Sequence, residues 1–165
     1  MRIAATVRNV GRDHRVTVRT ADQSQDLAIS AKTTGKGSSV NGGEFLMLAL
    51  ATCYCNDIYR EAARLGLPVD LVEVEAQADF DGTGLAAKNI SYRARVESSA
   101  RKADIEELLR QTDAVAEIQN TVRAGAAVSL VPWNIAQRGQ LPPNAILTRF
   151  CEQARPKSRI SWRRH

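Results

Sequence analysis

The sequence predicts an α+β fold in which antiparallel sheets surround one long buried helix. Residues 45–55 are apolar or small, and none of them is charged. A helix that is apolar on every side lies inside a protein, and a run of about 11 residues is too short to cross a bilayer. Segments in which polar and apolar residues alternate stand before and after this run, as is typical of half-buried strands.

The first 30 residues predict a β-hairpin followed by a third strand. Polar and apolar residues alternate on both sides of Gly11-Arg12-Asp13-His14, which we assign to the turn. Asp26–Ser30 is the third strand. Residues 31–43 contain four glycines and predict a loop that leads into the helix.

The central helix has a start and a stop of its own. Asn41 suits the N-cap, and Glu44, three residues on, completes a variant of the capping box. The helix then continues to Gly66, which suits the residue after the last turn, and Pro68 prevents its continuation.

A second group of elements follows the helix. Alternation predicts strands over 69–80 and 90–96, joined by a glycine-containing turn. Residues 103–112 have helical spacing, and residues 113–122 either continue that helix or begin another one. Residues 126–131 predict a final strand.

Charge divides the chain into two predicted parts, an α+β domain over 1–131 and a basic C-terminal extension over 132–165. The extension holds seven basic residues and one acid, whereas residues 1–131 hold 16 basic and 17 acidic residues. The near-neutral domain argues against binding of nucleic acid. The absence of a transmembrane run and of a signal-peptide pattern predicts no membrane contact and a cytoplasmic location.

The three cysteines indicate neither a disulfide framework nor a metal site, because their number is odd and no CxxC spacing occurs. The glycine-rich loop lacks the P-loop order. We therefore expect no cofactor and no metal.

Residues 44–53, which end in Cys53, are similar to the "E-L-L-x-A-A-L-x-x-C" motif of the OsmC/Ohr family (osmotically inducible protein C and organic hydroperoxide resistance protein). Asp57, the helix exit at Gly66-Leu67-Pro68-Val69 and Asn120-Thr121 also fit that family. The resemblance covers about 1–131. It implies an OsmC-like fold and an intertwined homodimer with the two long helices at its centre.

The resemblance also implies a site. In catalytic members a thiolate on the central helix reduces an organic hydroperoxide, and an arginine and a carboxylate assist it. Cys53 matches the thiol, Arg12 resembles the arginine, and Glu44 is the nearest carboxylate. Glu44 aligns one residue closer to the cysteine than the family's glutamate, whose place is taken by Gly43.

The chain departs from the family at its second, resolving cysteine, whose expected position is Ala116. Cys55 is no substitute, because two residues along a helix turn the side chains apart by about 200°. Asp57 is interpreted as a helix-surface or structural carboxylate.

Two functions therefore stay open. The first is a thiol-dependent hydroperoxide reductase of oxidative stress defence, in which Cys53 acts on a small hydrophobic peroxide and an external thiol restores it. The second is a non-catalytic protein that binds a small ligand in an apolar pocket of the dimer. The motif at Cys53 favours the first, and the missing thiol at Ala116 favours the second.

Overall fold

The computed structural model describes residues 1–11 and 13–132 of the 165-residue chain. Its elements in chain order are β1 (Ile3–Val10), β2 (Asp13–Thr20), β3 (Gln23–Leu27), α1 (Gly42–Leu65), β4 (Leu71–Asp79), β5 (Lys88–Glu97), α2 (Lys102–Val115) and α3 (Glu117–Arg123). Both sheets are antiparallel, with the orders β1-β2-β3 and β4-β5. The predicted α+β class is confirmed. The predicted extension 132–165 lies, apart from Pro132, outside the described residues, and its boundary stays a prediction.

The third strand begins earlier than predicted. It spans Gln23–Leu27 rather than residues 26–30, and Thr20 pairs directly with Gln23. This tight reversal of the chain is possible because Ala21 adopts a positive φ of 50°, as the two-residue turns between paired strands require. The first turn is also shorter than predicted, since Asp13 and His14 already belong to β2.

Helix α1 begins and ends where its caps predict. The Asn41 side chain accepts a hydrogen bond from the Glu44 backbone N–H at 3.0 Å, and the Glu44 carboxylate accepts one from the Asn41 N–H at 2.6 Å. Gly66 ends the helix in the left-handed region at φ 68°, where glycine avoids the penalty that a Cβ brings. Among the described helices, none has the length and hydrophobicity needed to span a membrane.

One side of α1 forms the core, and the other side is open. Tyr54, Ile58 and Ala62 are buried together with Leu108 and Ala116, and side chains of β4 and β5 pack against them. Outside this core, Leu48 is 57% exposed and Tyr59 is 44% exposed. A single chain therefore leaves part of this apolar helix uncovered, and burial on every side stays a prediction for the homodimer.

The chain bends sharply after α2, so residues 113–122 do not continue that helix in one piece. Ala116, with extended φ and ψ, separates α2 from α3. Arg123 fixes the bend, since its guanidinium binds the Asp113 carboxylate at 2.6 Å and the Tyr92 hydroxyl at 3.0 Å. This bend brings the start of α3 beside α1.

The strand predicted over 126–131 is not formed in the described chain. Val128 is 96% exposed, Leu130 is 101% exposed and Val131 is 68% exposed. Alternating residues become a strand only when a neighbouring strand supplies the hydrogen bonds, so the pattern alone could not decide this segment.

The buried Tyr54 predicts a loss of stability in alkali. Its hydroxyl donates to the Leu109 carbonyl at 2.8 Å, and burial, together with the negative charge of Asp113, raises the pKa of Tyr54 from 10.0 to about 12. The unfolded chain therefore ionises first, and the stabilising contribution is complete below pH 10.0 and is lost as the pH rises towards 12. Denaturant unfolding should show a decrease of about 2 kcal/mol over that range, and Tyr54→Phe should remove that part of the pH dependence.

Candidate functional site

The site is built around Cys53, a half-buried thiol at the middle of α1. Its Sγ–H donates to Asp57 Oδ2 at 3.4 Å. The two residues meet because side chains four positions apart lie on the same face of a helix. The helix that carries the thiol therefore also supplies a carboxylate beside it.

Asp57 is only 4% exposed, so its charge needs a partner. Arg60 supplies it, with Nη1 at 2.6 Å from Oδ1. The guanidinium also reaches Glu61 at 3.4 Å. One carboxylate oxygen of Asp57 is thus held by arginine, and the other faces the sulfur.

The start of α3 closes the site from a second direction. The backbone N–H of Ile118 faces the Cys53 sulfur closely enough to lower its pKa, and Glu117 Oε2 lies 3.9 Å from Sγ. The buried Gln119 side chain holds α3 in place by donating to the Leu50 carbonyl at 2.9 Å. This approach joins residues that are more than 60 positions apart in the sequence.

The electrostatics of the site favour the protonated thiol. Burial raises the pKa of Cys53, and the negative charges of Asp57 and Glu117 raise it further, whereas the Ile118 N–H lowers it. The net direction is upward from the ordinary value. At neutral pH Cys53 is therefore a thiol rather than a thiolate.

Within one chain the structure does not bring Glu44 to Cys53. The two residues are nine positions apart on α1, or roughly 13 Å along the helix axis, and the Glu44 carboxylate is bound in the helix cap. Arg12 lies outside the described residues. The predicted set of Cys53, Arg12 and Glu44 stays a prediction.

Ala116, the position at which the family places its second cysteine, is fully buried and directly precedes Glu117. Its neighbours in sequence are thus the residues that contact Cys53 from α3. Cys55 is a second free cysteine, and no contact between it and Cys53 is present among the described residues.

Three groups of the site have the spacing of metal ligands. One ligand atom each of Cys53, Asp57 and Glu117 lies within 4.8 Å of the others. Arg60 is a cation that already binds Asp57 and stands 4.0 Å from Glu117. Arg60 thus brings to Asp57 a positive charge of the kind that a metal ion would supply.

An open groove of about 890 Å³ lies elsewhere on α1, against β4 and β5. Apolar side chains form much of its wall, and ion-paired residues of the strands form its rim. The lining residues are Met47, Leu48, Ala51, Glu73, Val74, Glu75, Ala76, Arg93, Ala94 and Arg95.

Comparison with known families identifies the chain. The model of the family described as OsmC-like protein matches residues 35–131, which is more than half of the sequence. The chain belongs to the OsmC-like protein family. The match includes all of α1, Cys53 and the bend at Ala116, so the predicted resemblance is confirmed. No curated protein matches the chain.

Solved structures share the fold of this OsmC-like chain. An OsmC-like protein of unknown function from Vibrio cholerae has a TM-score of 0.54 at 15% identity, covering 73% of this chain and 93% of that one. An organic hydroperoxide resistance protein OsmC from Legionella pneumophila has a TM-score of 0.52 at 16% identity, covering 74% and 90%. An OsmC-like protein from Mycoplasma pneumoniae has a TM-score of 0.52 at 19% identity, covering 74% and 86%.

Three residues of this OsmC-like chain, Asp57, Arg60 and Glu117, lie at the thiol although the sequence analysis did not assign them to the site. Asp57 was interpreted as a helix-surface or structural carboxylate, and its burial at the thiol shows that the first of these alternatives is wrong. Its spacing of four from Cys53 was a usable indication. Arg60 could have been paired with Asp57 by the same helical rule, but Glu117 could not, because its approach depends on the bend at Ala116.

Proposed function

We propose that this chain reduces organic hydroperoxides through the thiol of Cys53, in defence against oxidative stress. Membership of the OsmC-like family supports this role, as do solved structures of the same fold that are named organic hydroperoxide resistance proteins. The observation that carries the proposal is the setting of Cys53. Structural cysteines are usually buried in apolar surroundings, whereas Cys53 is half-buried and faces a carboxylate and a backbone N–H.

The chemistry proceeds in two stages. The Cys53 sulfur attacks the distal peroxide oxygen, the O–O bond breaks, and a sulfenic acid and an alcohol result. Two equivalents of an external thiol then restore Cys53 and leave one disulfide and one water. This external thiol is needed because Ala116 provides no second thiol within the chain. Small thiols are available in a reducing cytoplasm, which supports a cytoplasmic location for the protein.

The test compares wild-type protein with Cys53→Ser and Cys55→Ser in the consumption of cumene hydroperoxide by dithiothreitol. Cys53→Ser should fall to the rate of dithiothreitol alone, because the attacking sulfur is gone. Cys55→Ser has the same chemical change two residues away and should retain the wild-type rate. Equal rates for wild-type and Cys53→Ser proteins would refute the proposal.

The second candidate is a binding protein without turnover. The raised pKa of Cys53 favours it, and so does the groove of about 890 Å³ along α1, which is within the size of small-molecule sites. If Cys53 stays unmodified at peroxide concentrations that oxidise free thiols, this candidate replaces the first.

We also propose that the protein is an obligate homodimer. The open side of α1 presents Leu48 and Tyr59 to solvent, and β1 exposes Ile3, Val7 and Val10. Exposed apolar side chains on a central helix and on an edge strand are typical of residues that a partner covers. A second copy would cover the side of α1 that its own strands leave open.

A further inference from the structure

The proposed reaction requires the transfer of one proton away from the Cys53 thiol. Cys53 is held as a thiol at neutral pH, so its proton has to leave as the sulfur attacks the peroxide. The alkoxide that leaves the broken O–O bond needs a proton in turn. An enzyme that lacks a low-pKa thiol therefore needs a group beside the sulfur that can accept one proton and release it again.

We propose that Asp57 is the proton carrier of this reaction, accepting the Cys53 proton and returning it to the leaving alkoxide. The inference rests on the proposed function. Asp57 is the carboxylate to which the thiol already donates, at 3.4 Å. It therefore touches a reacting atom and qualifies as a catalytic residue rather than a structural one.

The orientation of Asp57 suits this role. Arg60 binds Oδ1 at 2.6 Å and leaves Oδ2 directed at the sulfur. Because Asp57 is only 4% exposed, water does not compete strongly for the proton. Arg60 is thus a positioning residue that acts through Asp57.

The other charged groups around the thiol are less suited. Glu117 faces Cys53 from α3, but its oxygen is 3.9 Å away and its side chain is 72% exposed. Arg60 and the Ile118 N–H are donors, so neither can accept the proton. Glu61 reaches the site through Arg60, which it contacts at 3.4 Å.

The step balances as follows. As the bond between Sγ and the distal oxygen forms, the thiol proton passes to Asp57 Oδ2 and the O–O bond breaks. The sulfur is oxidised to a sulfenic acid, and the alkoxide takes the proton from Asp57 and leaves as the alcohol. Asp57 ends as a carboxylate, as it began.

The test measures two reactions of Cys53 across pH, namely reduction of cumene hydroperoxide and alkylation by iodoacetamide. Alkylation needs the thiolate but no proton for its leaving group. In Asp57→Asn, alkylation should become faster, because a neighbouring negative charge is gone. Hydroperoxide reduction at neutral pH should fall by about 100-fold or more, which is the usual range for loss of a general acid–base group. A role in folding alone would not move the two rates in opposite directions.

Glu106→Gln is the matched control. Glu106 is an exposed carboxylate of α2 that pairs with Lys102 at 3.5 Å, away from the thiol, so the same chemical change there should leave both rates of Cys53 unchanged. The wild-type protein gives a measurement that does not depend on any variant folding. Its hydroperoxide reduction should change less with pH than its alkylation, which rises about tenfold per pH unit below the thiol pKa.

Each outcome decides the matter. If Asp57→Asn reduces hydroperoxide as fast as wild type or faster, or if both wild-type profiles rise in parallel, Asp57 is not the proton carrier and only the inference fails. If wild-type protein is no faster than Cys53→Ser at any pH, the proposed function fails and the inference fails with it.

Discussion

Replacing Leu48 by aspartate is expected to dissociate the proposed homodimer and to abolish its cooperative unfolding. Leu48 is 57% exposed on the open side of α1, within a run of residues that carries no charge. If a second copy covers this side, the substitution buries an unpaired carboxylate, which costs several kcal/mol. A two-fold interface contains the change twice.

Sedimentation velocity and thermal unfolding measure this effect. Leu85→Asp is the matched control, since Leu85 has the same 57% exposure but lies in the connection between β4 and β5. It should leave the dimer and its unfolding temperature unchanged. A wild-type protein that sediments as a stable folded monomer at micromolar concentration, or a Leu48→Asp protein that remains dimeric, would contradict the proposal.

The second large effect is a change of oxidation product, from an oxygenated Cys53 in the wild-type chain to a disulfide in Ala116→Cys. In the wild-type chain, cumene hydroperoxide should add one or two oxygens to Cys53 and form no internal disulfide. With a thiol at position 116, oxidation should instead join it to Cys53. The reason is proximity, since the two residues that follow Ala116 contact the Cys53 sulfur.

Mass spectrometry distinguishes the products, because a disulfide removes two hydrogens and a sulfenic or sulfinic acid adds oxygen. Val115→Cys supplies the control. It places the same thiol one residue earlier, at a side chain that is 44% exposed, and should give no disulfide with Cys53. A Cys53–Cys55 disulfide in the wild-type chain would overturn the argument from helix geometry.

The parts of the fold that sequence predicts well are those that local chemistry decides. Asn41, Glu44 and Gly66 define α1 because each cap contact spans three or four residues. Strand alternation likewise located β4 and β5 within a few residues. The third strand was predicted about three residues too late, since its start depends on the conformation of the single residue Ala21.

Sequence also identified the family and the candidate thiol, because the motif that ends at Cys53 is continuous along one helix. Only the tertiary structure decided what surrounds that thiol. Glu117 and Ile118 reach Cys53 through the bend at Ala116, which the contacts of Arg123 stabilise. Asp57 is buried on the side of α1 that α3 approaches, where Arg60 and Glu117 stand beside it. Burial and long-range approach depend on the whole packed chain, and these two factors set the charge state of Cys53.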